Sequence, residues 1–307
     1  MALGYDRPLY IVALDHRGSF EKQLFGLAGE PGSADTARIA DAKTVIYEGF
    51  LLALGAGVRR DAAGVLVDEQ FGAGVARAAR AAGVTLAMPV EKSGQDEFDF
   101  QYGDEFGAHV EEFDPAFAKV LVRYNPEADA EVNRHQAARL RRLSDWLHAR
   151  DRKLLFELLV PATPAQLASV DGQTVRYDAE LRPGLMLRVI AELQAAGVEA
   201  DVWKIEGLDR RDDCAQIVAQ ARVGGRDGVG CVVLGRGADD AQVDAWLRAG
   251  AGVTGYLGFA IGRSIWFDPL HRWLTGAHDR VPAARTIADS YRRFVGIYEE
   301  AASAARP

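Results

Sequence analysis

The strongest constraint on the fold is a regular alternation of short apolar runs with helix-like segments along the whole chain. Leu9 to Leu14 reads as a first strand, followed by a helix over Thr36 to Leu54. Gly64 to Val67 and Val84 to Met88 are the next strands, with the helix Ala73 to Ala82 between them. Lys119 to Arg123 is a fourth strand, Lys153 to Val160 a fifth and Asp201 to Ile205 a sixth, with helices over Ala128 to Arg150 and Pro183 to Ala196. Val229 to Leu234 and Val253 to Phe259 complete eight, each followed by a helix, Ala238 to Arg248 and Ser264 to Leu274. Strands separated by helices must pair in parallel, and eight of them close naturally into a (β/α)8 barrel. An open doubly wound sheet would carry a glycine fingerprint after the first strand, whereas this strand ends in Asp15-His16-Arg17-Gly18.

No linker or low-complexity stretch divides the 307 residues, so a single domain is expected. Two additions stand outside the repeat. Gly94 to Pro115 is an acidic, aromatic insertion after strand three, expected to cover or border the active face. Ala283 to Ala301 is an extra terminal helix, placed either at a homo-oligomer interface or as a cap on the barrel. The net charge of −8 argues against nonspecific nucleic-acid binding, which needs a basic surface. No segment has the apolar length to span a bilayer, and the N-terminus has no signal-peptide pattern. Two isolated cysteines, Cys214 and Cys231, suit a reducing cytoplasm better than a disulfide framework.

Within this frame one residue stands out. The chain has six lysines against 30 arginines, and Lys204 lies inside the apolar strand Asp201 to Ile205. A lysine ordinarily sits on a helix or loop, where its ammonium stays hydrated. Burial in a strand disfavours the charged form, so the amine either pairs with a carboxylate or becomes a nucleophile. Both readings stay open on spacing alone.

In a barrel the chemistry gathers at the C-terminal strand ends. Strand one delivers Asp15, His16 and Arg17; strand two Asp68 and Glu69; strand three Glu91, Lys92 and Ser93. Strand four carries Lys119 and Arg123 on one face, strand five Glu157, and strand six Lys204 and Glu206 on another shared face. Polar side chains inside apolar strands are costly unless paired, so their recurrence on several strands points to a site. Strand seven runs into Gly235-Arg236-Gly237 and strand eight into Gly262-Arg263. Glycines there let the backbone approach an anion, and Arg236 or Arg263 adds charge, as at the recurrent phosphate site of such barrels. The competing reading is two tight turns.

Metal chemistry is the weaker prospect. Of six histidines only His16 is at a strand end, and carboxylates that could hold magnesium share their space with lysines. No metal or cofactor is expected. A nucleophilic Lys204 accounts for more of the pattern: Lys119 supplies a neighbouring cation, Glu157 carries protons, and Asp15 holds a substrate hydroxyl or the lysine network.

The segments ALDHRGSF, VEKSGQDEF, AKVLVRYNPEAD, LLFELLVP, DVWKIEG and GFAIGRSIW resemble class I tagatose-1,6-bisphosphate and sulfofructose-phosphate aldolases. The resemblance runs from Tyr10 to about Pro269 and is closer still to the aldolase-like domain fused to 5-dehydro-2-deoxygluconokinase. It implies a Schiff base on Lys204, with Lys119, Glu157 and Asp15 matching the family's second lysine, glutamate and aspartate. Gly262 and Arg263 match its phosphate loop. The chain departs in having His16 where the bisphosphate enzymes usually have glutamine, in the acidic insertion and in Trp203. The implied reaction is cleavage of 2-deoxy-5-keto-gluconate 6-phosphate to dihydroxyacetone phosphate and malonate semialdehyde. Tagatose bisphosphate and a sulfosugar phosphate are the alternative substrates, and Arg17, Lys92 or Arg123 would hold a second anionic group. A metal-dependent lyase and a sugar-phosphate-binding barrel without turnover are the rival classes.

Overall fold

In a computed structural model describing residues 2–305, eight parallel strands close into one barrel in sequence order. The strands are β1 (Leu9–Ala13), β2 (Ala63–Leu66), β3 (Thr85–Pro89), β4 (Phe117–Arg123), β5 (Lys153–Leu159), β6 (Val202–Glu206), β7 (Gly230–Leu234) and β8 (Tyr256–Ile261). The helices are α1 (Gly18–Phe25), α2 (Ser33–Gly55), α3 (Glu69–Ala81), α4 (Phe106–Phe113), α5 (Ala130–His148), α6 (Pro164–Ser169) and α7 (Thr174–Arg176). A π-turn (Tyr177–Leu181) leads into α8 (Arg182–Ala195), then α9 (Arg211–Ala221), α10 (Asp240–Gly250), α11 (Arg263–Leu274) and α12 (Arg280–Ala304). All eight strands lie within three residues of their predicted starts.

Two-residue alternation divides each strand between bore and helix layer. Leu9, Ile11, Ala13, Leu66, Ala87, Phe117, Leu155, Val202, Val232 and Ala260 fill the bore, with Tyr5 against its lower end. The intervening side chains, such as Tyr10, Val12, Val65, Phe156 and Trp203, join the surrounding helices in a separate core. The bore is therefore greasy at its base. Two residues further along the same strands come Asp15, Lys119, Glu157 and Lys204, which makes its upper end polar.

The insertion after β3 meets the central cavity at one end. Only Gly94 and Gln95 of it border the central cavity. Phe98, Phe100, Phe106 and Phe113 are buried, and α4 is packed onto the outside as the barrel's third-strand helix. Its aromatic content is anchoring, and its acids face solvent or basic side chains such as Arg142, Arg150 and Lys92. The terminal helix α12 packs along α2, α10 and α11, and Tyr291 Oη donates to Tyr10 O at 2.7 Å.

Lys43 overturns the expectation that a helix lysine stays hydrated. It lies on α2 with no exposed surface, paired with Asp68, and donates to Leu14 O (2.7 Å) and His16 O (2.9 Å). The alternative to that pairing is a bare buried ammonium, which is far more costly. Lys43 thereby clamps the two carbonyls that flank Asp15.

Candidate active site

A cavity of about 710 Å³ opens at the C-terminal end of the bore. All the site residues predicted from the sequence line it: Asp15, Arg17, Lys92, Lys119, Arg123, Glu157, Lys204, Gly235, Arg236, Gly237, Gly262 and Arg263. Asp68, at the end of β2, does not; it turns outward to Lys43 and accepts the Phe71 amide as the cap of α3.

At the floor lies a nearly solvent-free cluster of ions. Lys119 Nζ sits 2.8 Å from Asp15 Oδ2, 2.8 Å from Glu91 Oε1 and 2.9 Å from Glu157 Oε2. Burial opposes its charge, but the three carboxylates outweigh burial and hold its pKa well above the ordinary lysine range. Lys119 is thus a fixed ammonium and a poor nucleophile. Lys204 is equally buried yet touches one carboxylate, Glu157 Oε2, at 3.0 Å. The strand register dictates this contact, since Glu157 and Lys204 are direct neighbours across β5 and β6.

The carboxylates differ in consequence. Burial pushes Asp15 and Glu157 up, but Lys119 and then Lys204 more than compensate, so both titrate below the ordinary carboxylate range. Glu91 goes the other way: burial raises its pKa despite Lys119 and Arg17. Glu91 is the member of this cluster that the sequence placed at a strand end without assigning it a role. Its signal was available, a glutamate two residues beyond an apolar strand. Lys119 occupies the centre of the carboxylates, and among the described residues no group of three or more His, Cys, Asp or Glu side chains is placed to hold a metal.

The opposite wall is built by the loops after β7 and β8. Arg236 adopts a left-handed backbone (φ 51°), and its Nε and Nη1 meet Glu206 Oε1 at 3.0 Å and Asp178 Oδ2 at 2.8 Å. Arg263 Nη2 donates to Arg236 O at 2.7 Å, and its guanidinium lies against Gly237, where a Cβ would fall 2.6 Å from Cζ. Gly262 precedes α11 without a side-chain cap, and a Cβ there would fall 2.5 Å from Ala13 O. The two loops and the end of β1 therefore interlock through glycine positions.

The five cavity cations predicted to bind anions are not equivalent. Arg236 has Asp178 and Glu206; Lys92 has Asp99 at 2.6 Å; Arg17 is held by Glu91 O at 2.7 Å and Gln101 Oε1 at 3.2 Å. Arg263 and Arg123 have no ion-pair partner among the described residues; Arg123 Nη1 donates to Gln95 O at 2.6 Å. Their charge is available to a ligand. Of the two carboxylates that aim Arg236, Glu206 was placed at a strand end without a role, and Asp178 was missed. Asp178 sits in the irregular segment before α8, where no strand pattern marks it.

The closed eight-strand architecture places the molecule among (β/α)8 barrels with a lysine-bearing polar bore, an aldolase-like fold. The chain belongs to the family described as "Uncharacterized protein conserved in bacteria" (DUF2090), which it matches over residues 5–302. Its structure is similar to that of fructose-bisphosphate aldolase from Plasmodium falciparum, solved with TRAP and a small-molecule inhibitor, with a TM-score of 0.67. The match covers 95% of this chain and 91% of that one at 14% identity, a likeness of fold. No curated protein matches the sequence.

Proposed function

We propose that the chain is a class I aldolase that cleaves a phosphorylated keto sugar or keto-sugar acid through a Schiff base on Lys204. The observation that carries this reading is the inequality of the two buried lysines: Lys119 is fixed by three carboxylates, whereas Lys204 meets Glu157 alone. To attack a ketone, Lys204 must shed a proton, and Glu157 Oε2 at 3.0 Å is positioned to take it. The same carboxylate can return that proton to the carbinolamine hydroxyl, which leaves as water and creates the iminium electron sink. Before that transfer, Lys119 keeps Glu157 and Asp15 in the ionised form needed to accept it.

The substrate's phosphate belongs at the β7 and β8 loops, where Arg263 has no carboxylate partner and α11 begins. Arg123, across the cavity, is available for a second anionic group. This favours 2-deoxy-5-keto-gluconate 6-phosphate over a sugar with a single charged end, with dihydroxyacetone phosphate as the product retained on Lys204. Tagatose bisphosphate and a sulfosugar phosphate share the two-ended charge and are the next substrates to assay.

The test is borohydride reduction in the presence of dihydroxyacetone phosphate, followed by peptide mass analysis, with a chelator control. A reduced adduct on the Lys204 peptide, unaffected by chelator, is the expected result. An adduct on Lys119 would reassign the nucleophile. No adduct, with ligand still raising the melting temperature, would leave a binding barrel without turnover. Loss of activity with chelator would indicate a metal-dependent lyase.

A further inference from the structure

Carbon–carbon cleavage needs a second proton carrier. Besides the protons moved during Schiff-base formation, the hydroxyl on the carbon being released must lose its proton as the bond breaks. Glu157 is an awkward choice because its Oε2 already bridges the Lys119 and Lys204 ammoniums. Asp15 Oδ2 and Glu91 Oε1 are both committed to Lys119, and Glu91 Oε2, though without a partner, is buried away from solvent. Tyr177 donates its hydroxyl to Val160 O, and Asp178 is shared by Arg182 and Arg236. Among the described residues lining the cavity, His16 has no hydrogen bond, and its one ion contact, to Asp15, is 3.9 Å long.

We propose that His16 Nε2 is the base that takes the hydroxyl proton during cleavage and returns it to the enamine carbon. This rests on the Schiff-base reading above. The ring is closely fixed. Its Nδ1 is buried, 3.9 Å from Asp15 Oδ1, so Nε2 is the nitrogen left to meet a ligand. One edge packs on Trp266, with ring centroids 5.4 Å apart at 79°, and Trp266 Nε1 donates to Ala13 O at 2.8 Å. Gly262 is small enough to admit the ring; a Cβ there would fall 2.9 Å from His16 Cε1. From below, Lys43 holds the His16 carbonyl.

The charges around the ring suit such a step. Its pKa is lowered to about 4, first by burial and then by Lys204 and Arg263, against the opposing pull of Asp15 and Glu157. The imidazole is therefore neutral, the form in which Nε2 has a lone pair to accept a proton. In the cleavage step the β-hydroxyl proton passes to Nε2, the C–C bond breaks, and its electron pair moves through the α-carbon to the iminium nitrogen. The aldehyde leaves, and the positive charge on the Lys204 nitrogen is neutralised. That removes a cation that opposed protonation of His16, so bond breaking and proton uptake reinforce each other. The imidazolium then gives its proton to the α-carbon of the enamine, which regenerates the iminium. Water hydrolyses the iminium, balancing the water released when it formed.

Deuterium exchange at the α-carbon of dihydroxyacetone phosphate isolates this second proton transfer from Schiff-base formation. His16→Gln keeps a polar group near Nε2 but cannot carry the proton; His16→Asn is the second variant if His16→Gln does not fold. Against wild type, the variant is expected to give the same borohydride adduct to within about twofold, with exchange slower by about 100-fold or more. Exchange within about threefold of wild type overturns the proposal. An equal loss of adduct and exchange also overturns it, because His16 would then act in binding. A wild-type protein that forms no adduct sinks the Schiff-base reading itself, and His16's role with it.

Discussion

Glu157 and Lys204 are direct neighbours across β5 and β6, and their side chains meet at 3.0 Å in the floor of the cavity. Because the same Glu157 oxygen also lies 2.9 Å from Lys119, one carboxylate bridges the fixed ammonium and the proposed nucleophile. Glu157→Gln keeps the shape and removes both the charge and the proton carrier. The expected result is a fall of about 10²–10⁴-fold in single-turnover cleavage. Borohydride trapping should slow as well, since iminium formation needs the same proton. Trapping at the wild-type rate would remove Glu157 from the mechanism.

Stability should separate the two lysines even where activity does not. Lys119→Met leaves Asp15, Glu91 and Glu157 buried together without their shared cation. Stranding buried charge of this kind costs about 3–5 kcal/mol. Lys204→Met strands nothing completely, because Glu157 keeps Lys119. Guanidinium denaturation should therefore show the Lys119 variant to be clearly the less stable. The reverse order would mean that Lys204 is the structural member of the pair.

Much of this was legible in the sequence because barrel strands obey a period of two and a fixed order. Lys119, Glu157 and Lys204 each interrupt an apolar run, and their alternation aims them into one bore. What escaped the sequence depends on contacts between elements. Lys43 reads as an ordinary helix lysine until α2 lays it against Asp68 and the end of β1. Asp178 sits in a segment with no period, and only the fold brings it to Arg236. The division of the cavity arginines into paired and unpaired ones has no sequence signal, because each partner comes from an element distant in the chain. The course of the insertion was hidden for a related reason: its composition marks it as an addition, but only the fold shows that its phenylalanines fix it to the barrel wall.

The Lys43–Asp68 pair gives a test of how β1 is held. Lys43→Met leaves Asp68 charged and buried and frees Leu14 O and His16 O, so a loss of about 3–5 kcal/mol is expected. Adding Asp68→Leu should recover most of it. A residual deficit of about 1 kcal/mol remains, because Asp68 also caps α3 through the Phe71 amide. Melting curves of both singles and the double decide this; a double variant no better than Lys43→Met would refute the pairing as the cause.

His16 makes stability pH-dependent in a defined window. Its folded pKa of about 4 lies below the unfolded value of about 6.5, so between the two the unfolded chain binds more protons. The contribution is complete above about pH 6.5 and is lost as pH falls toward 4. Asp15 and Glu157, also depressed on folding, extend the loss below the ordinary carboxylate range, while Glu91 opposes it. Between neutral pH and about pH 4.5, wild type should lose roughly 2–3 kcal/mol more than His16→Gln. Parallel stability curves for the two proteins would contradict a part-buried neutral imidazole.

Gly262 connects the proposed phosphate loop to the proton carrier, and its substitution should disturb both. A Cβ at this position would fall 2.5 Å from Ala13 O, a backbone atom at the end of β1, and 2.9 Å from His16 Cε1. Neither can yield without moving, since Trp266 Nε1 holds Ala13 O at 2.8 Å and Lys43 holds the His16 carbonyl. Gly262→Ala must therefore shift the start of α11 away from β1, and with it Arg263. KM for the phosphorylated substrate should rise by about tenfold or more, and kcat should fall as the imidazole is displaced. Gly237→Ala separates the effects: its φ of 73° and its contact with Arg263 disturb the loop after β7 without touching His16. That variant should raise KM with kcat largely kept. If both variants instead lower kcat at unchanged KM, the anion does not bind between these loops.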